Sequence, residues 1–478
     1  MSDSNASYRR ILWATSVMGG ATFAALVIGL IRNKAVALIG GPEAVGLFGL
    51  FTTIISMGGS IATLGLDTSA VRQLAKSGSD AVEAERTQRA IWTMAWPLAL
   101  IGLAAVWLLR RPIAVLATGN GGFSDSVGLL ALGVFGTVVA AAQLAILQGR
   151  GRVADLARVR VWGSLLATSL AVFAVYFYGV AGIAPAALAV PVVTAIVSLW
   201  YGRTVPASDW RSLRDGDLGR RWKALAAIGV VVMMTNGLVI LNDLAMRSVV
   251  THRLGLGDLG FYVASSAIVW VNLSLVLNAM AADYYPRLSS VADDPQALSV
   301  TLNQQWHVAL LLAGPALAAV SVAAPLALAL LYAPSFAQSA LVLRLLAAAG
   351  LFRLAIWALG FVLLARRATW SYMAAEIASA LAIPIAWAAL PQTGLWGASA
   401  AQLLSSALSF VVFWRRVVSQ GVSADRGNVI LTAVLVVSLA ALAALFELNR
   451  PAGYVAGIAL TSILAWRSYG TIRAVVSR

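Results

Sequence analysis

Five ionisable side chains fall inside long apolar stretches of this chain: Asp243, Arg247, Arg344, Arg353 and Glu376. A charge at the centre of a bilayer costs about 2.5–3.5 kcal/mol or more, so such a side chain faces a partner, a polar cavity or water. Three of the five are arginines, whose planar fork of donors binds phosphate oxygens in pairs. This set is consistent with a cation-lined cavity for an anionic ligand.

Further candidates for this cavity are cationic residues near the ends of apolar stretches and amide side chains within them. The complete candidate set for substrate binding is Arg353, Arg247, Arg32, Lys34, Arg344, Arg72, Arg287, Asn242 and Asn272. Asp243 and Glu376 are the candidates for carrying a coupling proton or ion. Amides in spans also bond between helices, at under about 1 kcal/mol each, which is the alternative role for the two asparagines.

Ion pairing is the alternative for several candidates. Asp243 and Arg247 are spaced i, i+4, so they can neutralise each other on one helix face. Arg353 can form a buried pair with Glu376 in the next span instead of contacting a substrate. Both alternatives stay open on the sequence alone.

Membrane anchoring is the alternative for the candidates near span ends. Arg344, Arg32 and Lys34 can extend their stems along apolar surface and place their charges at the outer interface. Arg72 and Arg287 fit ordinary anchors at the inner face. Because they occupy similar places in the two halves of the chain, they are also candidates for an inner gate.

The sequence offers no constellation for catalysis. It has no cysteine and only two histidines, His252 and His307, far apart in the chain. Thiolate or histidine metal sites and a catalytic triad are therefore not expected, and no Gly-rich phosphate loop indicates ATP hydrolysis. We expect no catalytic residue, no metal and no cofactor. Any driving energy then comes from an ion or proton gradient, or from product removal.

The elements that must position these side chains are membrane-spanning helices. Apolar residues make up 60% of the chain and its mean hydropathy is +0.85. Apolar stretches of about 20 residues, the length that crosses a bilayer, recur roughly fourteen times. The predicted spans are 11–31, 44–64, 88–109, 126–148, 161–179, 182–201, 224–248, 260–281, 303–332, 337–364, 369–390, 394–414, 429–446 and 451–467.

Basic residues concentrate in every second gap between these spans. With a cytoplasmic N-terminus, twenty-five of the thirty-four Lys and Arg residues lie on the inner side. Positive charge is retained in the cytoplasm, so we expect both termini there. The net charge of +15 then reflects topology and contact with anionic lipid head groups, and no nucleic-acid partner is expected.

An internal repeat divides the predicted spans. The stretch Leu38–Phe48 aligns with His252–Tyr262, which sets Gly41 against Gly255, and a polar linker separates the halves. Six spans per repeat make the two lobes parallel, related by an axis along the membrane normal. We predict an all-α protein with an N-terminal lobe, a cytoplasmic linker, a C-terminal lobe and an extra helix pair with a cytoplasmic tail, at 1–201, 202–223, 224–414 and 415–478.

Three segments carry a family resemblance. They read RNKAVALIGGPEAVGLFGLFTTIISMGGSIATLGLDTSAVRQLA, ADYYPRLSSVADDPQALSVTLNQQWHVALLLAGP and LLYAPSFAQSALVLRLLAAAGLFRLAIWALGFVLLARR. The ordered set resembles the polysaccharide exporters and O-antigen translocases (Wzx-type) of the multidrug/oligosaccharidyl-lipid/polysaccharide (MOP) superfamily. Many members of that branch have twelve spans, so the extra pair departs from the pattern.

The resemblance implies a flippase and no enzyme. Its substrate would be an undecaprenyl-pyrophosphate-linked oligosaccharide, an O-antigen or exopolysaccharide unit for lipopolysaccharide or polysaccharide biosynthesis. The protein would lie in a bacterial inner membrane, work by alternating access, and pass its product to a polysaccharide polymerase. Two alternatives stay open: a lipid II flippase, favoured by the extra pair, and a multidrug/toxin cation antiporter, disfavoured because arginines outnumber acids in the spans.

Overall fold

The computed structural model describes residues 2–77, 80–203 and 218–476, and these residues form helices without a strand. Each of the fourteen predicted spans coincides with helical structure. Within the described residues, eleven helical segments are long and apolar enough to cross a membrane, and two of them, of 48 and 50 residues, each cover two predicted spans. The prediction of an all-α membrane protein is confirmed. Most of the predicted linker, 204–217, lies outside the described residues.

The chain divides into two compact units, Met1–Leu244 and Ala245–Arg478. The dividing point lies within helix α8, whereas the sequence places the boundary at the linker before it. The helices that begin in the first unit are α1 Ser2–Thr63, α2 Leu66–Lys76, α3 Ala81–Leu108, α4 Arg110–Thr118, α5 Ser124–Gly149, α6 Val153–Tyr178, α7 Ile183–Gly202 and α8 Leu218–Leu254.

The second unit contains the remaining helices. They are α9 Leu256–Ser290, α10 Pro295–Val322, α11 Ala324–Leu331, α12 Ala340–Ala365, α13 Thr369–Ser379, α14 Ala382–Thr393, α15 Leu395–Val418, α16 Arg426–Leu448 and α17 Arg450–Val476. Two predicted spans are interrupted here, since α10 is followed by the short α11, and α13 by α14.

Each unit is built around one buried helix. In the first unit α5 packs against α1, α2, α3 and α7, and in the second α12 packs against α9, α10, α15 and α16. Both helices are rich in buried alanine, such as Ala142 and Ala145 in α5 and Ala347 and Ala355 in α12. Small side chains let helix backbones approach closely, which is how helices associate where lipid replaces water.

The glycines that the repeat aligns share one backbone conformation. Gly41 interrupts α1 with φ 67° and ψ −164°, and Gly255 lies between α8 and α9 with φ 95° and ψ 178°. A positive φ with extended ψ is essentially restricted to glycine. Pro42 follows Gly41 and disfavours helical geometry there. The first two predicted spans are therefore two helices joined at this glycine.

The same alignment sets Asp80 against Asp294, and both cap the helix that follows. Asp80 Oδ1 accepts from the amides of residues 82 and 83 at 3.0 and 3.1 Å, and Asp294 Oδ1 accepts from residues 296 and 297 at 2.8 and 3.2 Å. Such caps satisfy amides that the first helical turn leaves without partners. The capped helices, α3 and α10, each have 28 residues. The local structure thus follows the repeat; the domain limits drawn from the sequence stay a prediction.

The extra pair, α16 and α17, packs on the second unit. Asn428 in α16 donates to the Asn303 carbonyl of α10 at 2.9 Å and contacts His307 Nδ1 at 3.0 Å. Ser468 in α17 donates to the Leu311 carbonyl of α10 at 2.7 Å. These polar contacts brace the pair against the second unit.

Candidate functional site

The helices of the first unit line an open cavity of about 790 Å³. Helices α1, α2, α5, α6 and α7 contribute its walls. The lining residues are Met18, Arg32, Thr52, Ile55, Ser56, Asp67, Thr137, Ala140, Ala141, Leu144, Ala145, Gln148, Val153, Leu156, Arg160, Ala187, Val190, Pro191 and Thr194. Ligand pockets of this size, mostly apolar with a few polar groups, typically hold small molecules or the head of a larger one.

Two of these lining residues are arginines. Arg32 is half-buried in α1, and its guanidinium carbon lies 5.3 Å from the centre of the Phe48 ring. Arg160, in α6, is exposed and donates from Nη1 to Thr22 Oγ1 at 2.6 Å. The cavity therefore presents guanidinium donors, which suit phosphate or carboxylate oxygens.

Hydroxyl groups form a second polar feature of the wall. Thr52, Ser56 and Thr137 donate their hydroxyl hydrogens to carbonyls of their own helices at 2.8–2.9 Å. Because each hydroxyl oxygen also has acceptor capacity, these side chains can accept hydrogen bonds from a ligand. Asp67, exposed in the first turn of α2, adds a carboxylate acceptor. Such acceptors suit the hydroxyl donors of a sugar.

Among the predicted site residues, Arg32 alone belongs to the lining of this cavity as the described residues define it. Lys34 is half-buried in the same helix, while Arg72 and Arg287 are exposed. Asn272 donates to the Ile268 carbonyl of its own helix at 2.9 Å.

Three further candidates lie within seven residues of one another in α8. Asn242 is buried, whereas Asp243 and Arg247 are half-buried one turn apart. Their roles in binding or ion coupling stay predictions.

Arg353 forms the ion pair that the sequence suggested as an alternative. Its Nη1 lies 3.7 Å from Glu376 Oε2, joining α12 to α13. The glutamate side chain is 4% exposed and that of the arginine 24%. Ser379 lies 3.4 Å from the same carboxylate oxygen. This pair neutralises two charges within the second unit.

Arg344 is enclosed by protein. Its Nε donates to the Ser321 carbonyl at 3.1 Å, and its guanidinium carbon lies 3.6 Å from the centre of the Phe446 ring. Glu447 lies 3.9 Å from Nη1. These contacts join α12 to α10 and α16, which differs from the lipid-interface anchor considered for this residue.

Arg160 and Asp67 were not among the site residues predicted from the sequence. Both lie near predicted span ends, and Arg160 was counted among the inner-face charges. One signal was available: Arg158 and Arg160 point roughly 200° apart on a helix. Arg158 can pair with Asp155, and does so at 3.1 Å. Arg160 is thereby directed to another face of α6.

The fold is that of MOP superfamily transporters. A lipid II flippase, MurJ, in an inward closed conformation superposes with a TM-score of 0.71 at 11% identity, covering 95% of this chain and 99% of that one. An inward-facing multidrug resistance MATE family transporter gives 0.68 at 17%, covering 84% and 96%. A MOP superfamily transporter from Pyrococcus furiosus gives 0.60 at 16%, covering 87% and 96%. At these identities the likeness shows the fold.

The family follows from the sequence itself. The family model described as "Polysaccharide biosynthesis protein" matches residues 36–341, more than half of the chain. The chain therefore belongs to the polysaccharide biosynthesis protein family, and the resemblance to polysaccharide exporters is confirmed. A comparison with curated proteins finds no match.

Proposed function

We propose that this protein is a flippase for an undecaprenyl-pyrophosphate-linked oligosaccharide. It moves the sugar-bearing head from the inner to the outer leaflet of a bacterial inner membrane by alternating access, with both termini cytoplasmic. The glycan is an O-antigen or exopolysaccharide unit, and a polymerase uses it outside. The observation that carries the proposal is the cavity of the first unit, which combines Arg32 and Arg160 with hydroxyl acceptors.

The chemistry of this cavity matches the proposed head group. A pyrophosphate is polyanionic, and guanidinium groups bind its oxygens through charge-assisted bonds. Sugar hydroxyls can donate to Thr52, Ser56, Thr137 and Asp67, all of which line the same cavity. Membership of a polysaccharide biosynthesis family supports a glycan substrate.

A lipid II flippase is the second candidate. One specific observation favours it: the MurJ structure overlaps 95% of this chain, so its fold also accounts for most of the C-terminal region. Lipid II also presents a pyrophosphate and sugars, so the same cavity chemistry applies. The test must therefore compare glycans.

The test is head translocation in proteoliposomes. The probe is a fluorescent disaccharide on undecaprenyl pyrophosphate, and a membrane-impermeant reductant measures how much label has crossed. Wild type should move this lipid. Arg32→Ala should lower the rate about ten- to a hundredfold, since a hydrogen bond to a charged group contributes about 1.5–3 kcal/mol.

The matched control is Arg111→Ala, which removes one exposed charge from α4 and should match wild type. Faster movement of fluorescent lipid II than of the disaccharide lipid would favour the second candidate. Export of a cationic dye without movement of either lipid would overturn the flippase proposal.

The orientation of the protein in the membrane can be tested with single introduced cysteines, because the chain contains none of its own. Asn120→Cys and Arg473→Cys each place a single thiol at an exposed position. In intact spheroplasts a membrane-impermeant maleimide should label the first and spare the second. The reverse pattern would contradict cytoplasmic termini.

A further inference from the structure

The two guanidinium groups of the cavity lie at different heights along α1. Arg160 donates to Thr22 Oγ1 at 2.6 Å. A Cβ added at Gly29 would lie 4.0 Å from Arg32 Nη2, so that guanidinium extends back along the helix to Gly29. Thr22 and Gly29 are seven residues apart, which corresponds to roughly 10 Å of rise along an α-helix.

This separation is large enough for each guanidinium to bind a separate phosphate group. A guanidinium binds phosphate oxygens at about 2.7–2.9 Å, so one phosphate group cannot bond to both cations at once. The separation is close to the Debye length of about 8–10 Å, and a low-dielectric wall weakens screening further. An anion held by one arginine is therefore still attracted by the other.

Arg160 lies about two turns from the start of α6, in the half of that helix nearer the connection with α5. Gln148 near the end of α5, Val153 at the start of α6 and Asp67 in the first turn of α2 line the same cavity. The short connection between α5 and α6 holds Arg150 and is cytoplasmic in the predicted topology. On that orientation, Arg160 faces the inner leaflet side and Arg32 lies deeper.

We infer that Arg160 is the first phosphate-binding residue of the transport path, receiving the pyrophosphate from the inner leaflet before Arg32 takes it over. The inference rests on the proposed function and assigns to it a residue that was not among the predicted site residues. It separates two roles: Arg160 governs capture of the head group, whereas Arg32 governs its passage.

A purely structural role for Arg160 makes a different prediction. Its bond to Thr22 joins α6 to α1, so the arginine could serve only to hold these helices together. Thr22→Val removes the acceptor and leaves the cation. Arg158→Ala removes a neighbouring cation that is 59% exposed and paired with Asp155. Thr22→Val tests whether the bond between α6 and α1 is what matters, and Arg158→Ala tests whether any nearby positive charge has the same effect.

The experiment measures initial head-translocation rates in proteoliposomes at increasing mole fractions of the fluorescent undecaprenyl-pyrophosphate disaccharide. Arg160→Ala should raise the half-saturating mole fraction about tenfold or more, with a smaller change in maximal rate. Arg32→Ala should mainly lower the maximal rate. Thr22→Val and Arg158→Ala should both saturate like wild type.

Several outcomes would overturn the inference. If Arg160→Ala saturates like wild type, Arg160 does not capture the head group, and the proposed flippase function is unaffected. If Thr22→Val reproduces Arg160→Ala, the arginine positions α1 and does not bind phosphate. If Arg160→Ala does not reconstitute, Arg160→Gln decides, since it keeps a donor that can reach Thr22 and loses the charge: weakened saturation supports the inference and wild-type saturation contradicts it. Wild type that moves no pyrophosphate lipid overturns both proposals.

Discussion

The arginines of the two units have different surroundings. In the first unit, Arg32 and Arg160 line a cavity and present donors towards it. In the second unit, Arg344 and Arg353 are held by the protein itself, through Ser321, Phe446 and Glu376. The same side chain in an apolar span can thus serve a ligand or the fold.

Solvation explains why the two arrangements differ. A buried charge needs a partner in place at all times, because desolvation costs several kcal/mol per ion in real proteins. A guanidinium that lines an open cavity can be solvated by water until a ligand displaces that water. The comparison therefore predicts that variants in the second unit lose stability, and that variants in the first lose transport.

The largest expected loss of stability is for Arg353→Ala. This change leaves the carboxyl group of Glu376, 4% exposed, without its cation. Removing one partner of a buried pair typically costs about 3–5 kcal/mol. Thermal unfolding in detergent measures the effect, and Arg353→Met combined with Glu376→Gln should recover most of it. Equal losses of stability in the single and double variants would contradict a stabilising ion pair. Because the variant is expected to lose stability, a transport defect in Arg353→Ala alone does not indicate substrate contact.

Arg344→Ala should come next. It removes a bond to a buried carbonyl and a cation stacked on Phe446 at 3.6 Å, together about 2–4 kcal/mol. Because Arg344 joins α12 to α16, the variant should also expose the 419–425 connection and the α16–α17 pair to limited proteolysis. Glu447→Gln is the control, since that carboxylate is 56% exposed and 3.9 Å away; it should change little.

Arg32→Ala should cost less stability than either variant of the second unit. Its cation–π contact with Phe48, at 5.3 Å, contributes about 0.5–1 kcal/mol. Phe48→Leu also removes this contact and preserves the guanidinium for transport, but because Phe48 is buried, lost packing adds to its cost. A loss above that of Arg344→Ala would show that Arg32 is a structural residue, and the comparison between the units would fail.

The spans could be predicted from the sequence because the bilayer imposes a simple demand. Backbone groups in lipid must be satisfied within a helix, and a helix must be long and apolar enough to cross. The repeat was also visible, since Gly41 and Gly255 occupy a conformation that other residues avoid. Even the pairing of Arg353 with Glu376 was among the stated alternatives, because few opposite charges were available.

The cavity could not be predicted in the same way. Its walls come from α1, α2, α5, α6 and α7, and which side chains meet there depends on how these helices pack. Charge counting assigned Arg160 to topology because it follows a cytoplasmic loop. It also left Arg344 open between substrate binding and the lipid interface, whereas Phe446 of α16 lies against it. The surroundings of these two arginines cannot be recognised from the local sequence pattern.

The smallest expected contribution to stability is that of the ion pair between Arg221 and Glu83. Arg221 at the start of α8 forms two bonds with Glu83 in the first turn of α3, at 2.6 and 2.9 Å. The glutamate side chain is 39% exposed, so water screens the pair and its coupling should be about 0.2–1 kcal/mol. A double-mutant cycle with Glu83→Gln and Arg221→Met measures it by denaturant unfolding, and 0.5 M salt should reduce it. Coupling as large as that of Arg353 with Glu376 would contradict the view that burial, rather than geometry, decides how much these pairs contribute.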